Sequence, residues 1–154
     1  PLFVIAQNPD GSSTITFKDI MSIDSKDTFL KIMLDNKYSG IESDESEIAF
    51  ALNPQEDGTS TSFAYYYSDN RFWFQFTRTG TITNSYGRIT KEGGVIDNTY
   101  DTIYEIINRR CEFVAVKEVD KKNYACYDCR KAKFDGLIGL TTSGQSGFVT
   151  AFAR

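Results

Sequence analysis

Cys126-Tyr127-Asp128-Cys129 is the one C-x-x-C of a 154-residue chain that has three cysteines and no histidine. A redox-active pair of this kind needs a helix N-terminus to lower its thiol pKa, whereas Lys131, Ala132, Lys133 and Phe134 continue a strand-like alternation. A zinc ribbon needs a second pair, and only Cys111 is left. The expected role is structural: one disulfide from Cys111 to Cys126 or Cys129, or three reduced thiols. With residues 120–123 as the turn of a hairpin, Val114 faces Cys129 and Lys117 faces Cys126, so Cys111 reaches either only through a bulge or a neighbouring strand. The lack of histidine removes Ser-His-Asp and Cys-His nucleophiles and the usual proton shuttle near neutral pH. Ser68-Asp69-Asn70 matches a short element of serine β-lactamases, but no Ser-x-x-Lys or Lys-Thr-Gly accompanies it. The run Glu42-Ser43-Asp44-Glu45-Ser46-Glu47 lacks the central glycine of a calcium loop and reads as solvated. No metal, no cofactor and no enzymatic activity are expected, and a binding protein is.

The richest segment, residues 63–76, reads FAYYYSDNRFWFQF, with eight aromatic residues of fourteen. Folded as a hairpin about Ser68-Asp69-Asn70, it pairs Tyr66 with Phe72, Ala64 with Phe74 and Ser62 with Phe76. The apolar Phe72, Phe74 and Phe76 face belongs inside, because exposing three Phe forgoes roughly 1.5–3 kcal/mol for each. Ile48, Phe50 and Leu52 alternate onto the same face. Tyr65, Trp73 and Arg71 fall on the other face, and they are residue types that anchor protein contacts. Asp101 and Glu105 alternate with Ile103 and Ile107 on a segment of strand length. Either these acids face an interior and pair with a cationic ligand, or Tyr100, Tyr104 and Ile106 do and the acids are solvated.

Turn clusters such as Asn53-Pro54-Gln55-Glu56-Asp57-Gly58 divide the chain into short segments. Strands are expected near 2–6, 28–35, 47–52, 60–68, 71–79, 81–90, 99–107, 111–119, 123–134 and 147–153, with a further apolar run at 137–140. Thr16, a cap with Asp19 three residues on, starts one short helix at 16–21. The expected fold is all-β: a single domain, 1–154, forming an antiparallel up-and-down barrel whose closure removes exposed edges. A net charge of −4 gives no basic patch for nucleic acid. No apolar run approaches the roughly 20 residues that cross a bilayer, and the first residues do not form a signal peptide.

The stretches Tyr100-Asp101-Thr102-Ile103-Tyr104, Cys111-Glu112-Phe113-Val114-Ala115-Val116 and Tyr124-Ala125-Cys126-Tyr127 resemble the late strands of arthropod salivary lipocalins, especially the tick amine-binding group. The segment from Phe17 to Met33 is similar to their entry into the barrel. The family's Gly-x-Trp and the second cysteine of its C-terminal bridge are absent, and little chain follows Cys129 for its long helix. The resemblance implies a secreted protein that holds a biogenic amine, a fatty acid or an eicosanoid. Phe50, Tyr66, Phe72, Phe74 and Phe76 would supply the walls, and Asp101, Tyr104 or Glu105 the polar contacts. The alternative is a protein-interaction domain with a solid core, its partner or a second copy held through Tyr65, Arg71 and Trp73.

Overall fold

A computed structural model describes residues 15–58, 60, 62–67, 72–78, 99–143 and 146–153, with backbone only at 72, 73, 76–78, 99, 101, 146 and 153. The strands expected at 2–6 and 81–90 and the turn at 68–70 lie outside these residues. Two helices open the described chain. α1, Phe17–Met21, begins with Thr16 and Asp19 capping each other's backbone amides at 3.1 Å. α2, Lys26–Asp35, is capped by Ser25 and Thr28. Four strands follow: β1 Ser39–Ser43, β2 Glu47–Leu52, β3 Ser62–Tyr67 and β4 Phe72–Arg78. After α3, Thr99–Arg110, come β5 Glu112–Val119, β6 Lys122–Asp128, β7 Gly136–Ser143 and β8 Ser146–Ala153.

The eight strands make one antiparallel sheet in the order β1-β2-β3-β4-β8-β7-β6-β5. β1 and β5 lie at opposite edges, so the closed barrel expected from the sequence is corrected to an open sheet. Each run of four strands is a meander, as a barrel reading requires. β4, however, pairs with β8 rather than β5, and this long-range choice leaves two ends instead of none.

Two expected strands are helices. In 28–35 the buried residues are Phe29, Ile32 and Met33, spaced three and four apart as on one helix face. In 99–107 they are Tyr100, Ile103 and Ile107. The wealth of Ile, Tyr and Phe suggests strand, but the period of burial and the Ser25 cap decide for helix. The helices pack on one face of the sheet, where Phe29 meets the rings of Phe50, Tyr66 and Phe74 at 6.1, 5.4 and 6.1 Å between centroids. That face holds the main core. The other carries a smaller cluster of Tyr124, Cys126, Leu137 and Phe152.

Registers refine the hairpins. β3 and β4 pair Tyr66 with Phe74, Ala64 with Phe76 and Ser62 with Arg78, two residues from the expected register. A shift of two preserves the faces of the Phe74 and Phe76 positions, and Phe74 is fully buried on the core side with Phe50; an irregularity between Phe72 and Phe74 sets the Phe72 position opposite Phe152 of the other face instead. The β5–β6 turn has Asp120 and Lys121 at φ 51° and 66°, the left-handed pair of a two-residue hairpin. Val119 therefore pairs with Lys122, and Lys117 with Tyr124 rather than Cys126. Between Phe113 and Ala115 a bulge shifts the register so that Glu112 faces Asp128. One step further Cys111 meets Cys129, with Cα atoms 4.5 Å apart, and the two form the disulfide.

Candidate functional site

Following the strand pairings across the sheet gives two rows of positions on the core side. One runs Ser43, Ile48, Tyr66, Phe74, Ala151, Ile138, Tyr127, Phe113, and the other Gly40, Phe50, Ala64, Phe76, Val149, Leu140, Ala125, Val116. At the β1 edge both rows end in small residues, Ser43 and Gly40. At the β5 edge both end in apolar side chains, Phe113 and Val116, which are 54% and 62% exposed. Val114, the extra residue of the bulge, is 49% exposed. The core thus reaches the surface along one edge strand, whose outer side pairs with no strand among the described residues. A long edge bearing apolar side chains is a template for pairing with another strand.

The corner where β5 starts is held firmly. The Cys111–Cys129 disulfide ties the first turn before β5 to the end of β6. The Phe113 and Tyr127 rings meet edge to face at 5.6 Å. The Tyr127 hydroxyl donates to Asn108 Oδ1 of α3 at 2.7 Å. Burial, together with Tyr104 nearby, holds the Tyr127 hydroxyl above the ordinary tyrosine range. Beside this corner lies a cleft of about 410 Å³ lined by Arg109, Arg110, Cys111, Glu112, Asp128 and Arg130. Glu112 and Asp128 are directly paired, a like-charge arrangement that costs stability unless cations stand near. Arg109 and Arg110 close the last turn of α3, where positive charge also suits the helix dipole.

Of the residues expected to line a ligand cavity, those with described side chains fall on the core face of β2, β3 and β4 and on α3. Phe50 and Phe74 are buried against Phe29, and Phe74 also meets Phe134 at 5.2 Å. Tyr66 is half-buried on that face, and the side chains of Phe72 and Phe76 lie outside the described set. Tyr104 and Glu105 are exposed on α3 rather than on a strand, and Asp101 is described by backbone alone. Tyr65 is on the far face, stacked in a ladder with Phe63 and Tyr67 at 6.5 and 6.0 Å. Arg71 and the Trp73 side chain are outside the described set. Sequence reasoning missed the β5 edge, because Phe113, Val114 and Val116 look like core until the strand order is known.

Cys126, the remaining thiol, is fully buried in the far-face cluster, and burial pushes its pKa up. Among the described residues no three His, Cys, Asp or Glu side chains gather as metal ligands would, and no helix is long and apolar enough to cross a membrane. No family model, curated protein or solved structure matches the chain.

Proposed function

We propose that the protein is a non-enzymatic binding protein that acts by protein contact, adding a partner's extended strand to its sheet at β5. The carrying observation is that both core rows end at that edge in exposed Phe113 and Val116. Strand addition supplies main-chain hydrogen bonds for affinity and side-chain pairing for specificity. The packing of Phe29 on Phe50, Tyr66 and Phe74 supports a solid core over an enclosed ligand. The absence of histidine and the inert setting of all three cysteines support a non-enzymatic role. The disulfide is compatible with an extracellular setting, which we propose.

Selection of displayed eight-residue peptides tests this reading. Peptides that alternate apolar and polar residues should be recovered, and they should bind Val116→Lys at least tenfold more weakly (on the order of 1.4 kcal/mol). Recovery of no peptide sensitive to Val116→Lys would sink it.

A second reading, small-molecule binding, has the cleft in its favour. Its 410 Å³ is within the size range of ligand sites. Its three arginines outnumber its two acids, Glu112 and Asp128, which favours the carboxylate of a fatty acid or eicosanoid over an amine. Native mass spectrometry with added oleate separates the two: a one-to-one complex that Arg110→Ala and Arg130→Ala abolish would favour the small ligand, and no complex is expected.

A further inference from the structure

We infer that the strand taken up at β5 is the β5 of a second copy, running antiparallel about a two-fold axis between Val114 and Ala115. This rests on the strand-addition reading and names its partner. In that register each residue meets the one whose number completes a sum of 229. Glu112 then meets Lys117, Phe113 meets Val116, and Val114 meets Ala115, each pair occurring twice.

Such a register fails in a regular strand. Residues directly opposite in an antiparallel pair share a face, and side chains alternate along each strand, so an odd sum sets residues of opposite faces together. The bulge removes the conflict. Val114 and Ala115 occupy one step of the ladder, as the shift from Phe113↔Tyr127 to Ala115↔Cys126 shows. Phe113 and Val116 consequently both face the helices, through Tyr127 and Ala125. Glu112 and Lys117 both face away, through Asp128 and Tyr124. Read in steps, β5 is the same from either end: polar away, apolar toward the helices, the doubled step, apolar toward, polar away.

The chemistry matches at every step. Phe113 of one copy covers Val116 of the other, joining the first core row of each molecule to the second row of its mate. Two Glu112–Lys117 pairs of opposite charge flank this apolar centre. The β1 edge also has a bulge, at Ile41, but not this chemistry: its core-side positions are Ser43 and Gly40, and its acid, Glu42, has no lysine or arginine in the strand.

Sedimentation equilibrium of the full chain tests the inference. The wild type should show twice the 17.4 kDa of one chain. Val116→Lys should give a folded monomer, its fold checked by circular dichroism. Glu112→Lys and Lys117→Glu should each weaken self-association roughly tenfold by setting like charges opposite one another. An equimolar mixture of the two should restore it, because both contacts then become attractive in the mixed dimer. A monomeric wild type at high concentration overturns self-pairing and leaves the peptide selection to judge strand addition. A dimer insensitive to Val116→Lys overturns both, because its contact is elsewhere. Single charge variants that weaken association without rescue on mixing overturn the register.

Discussion

Phe29 is the ring on which the helix-covered face of the sheet depends. It is fully buried and touches aromatic side chains of β2, β3 and β4 at once. Phe29→Ala leaves a void under three neighbouring strands, so we expect a loss of about 3–5 kcal/mol, read as a lower urea midpoint with an unchanged slope. A chain that instead held a ligand against Phe50 and Phe74 would gain room and bind more tightly after the same change. The far face has a polar counterpart. Gln75 Nε2 donates to Thr150 Oγ1 at 2.7 Å and to the Tyr124 hydroxyl at 3.4 Å, between two strands of one meander and one of the other. Thr150 is fully buried, and this amide and the Tyr124 hydroxyl together satisfy its hydroxyl, which would cost stability unpaired.

At the scale of elements, the disulfide and the bulge act together. The bond closes a loop across 18 residues of sequence, which holds the β5–β6 hairpin and, through it, the proposed edge. Cys111→Ser should cost about 3 kcal/mol, and reductant should bring the wild type down to the variant's stability while barely affecting the variant. Thermal unfolding with and without dithiothreitol measures both. The sequence made β2 readable to the residue, and it placed β3, β4, β5 and β8 within two residues at each end. Strong alternation between turn residues leaves few other solutions. It also placed Phe50 and Phe74 on one face, since parity survives a register error of two. α2 and α3 were hidden by β-branched and aromatic composition, although their burial period and the Ser25 cap were present in the sequence. The bulge was hidden for a different reason: an extra residue in a strand has no local signature in Glu112-Phe113-Val114-Ala115-Val116. Without it, neither the Cys111–Cys129 pairing nor the phase of Phe113 against Val116 can be read.

At the scale of the whole molecule, the described residues form two similar halves, each a helical segment followed by a four-stranded meander. Among the described residues every strand pair but one joins neighbours in sequence. The exception is β4 with β8, which pair across a long interval, from Arg78↔Gly147 to Phe72↔Phe152, and no local pattern could reveal that choice. The seam between the halves has a consequence in time. Hairpins close short loops quickly, whereas a seam spanning half the chain must wait for both sides. Gln75→Ala, which loosens the seam alone, should therefore raise the unfolding rate about fivefold and leave the refolding rate nearly unchanged in stopped-flow experiments. An equal slowing of refolding would mean that the seam forms early. During synthesis, β4 emerges long before β8 exists to cover it, so the first half spends that interval with the outer edge of an aromatic strand unpaired. At high expression, neighbouring nascent chains can offer their own β8 to that strand, and exchanged halves, in which one chain completes another's sheet, are the misassembly this topology invites.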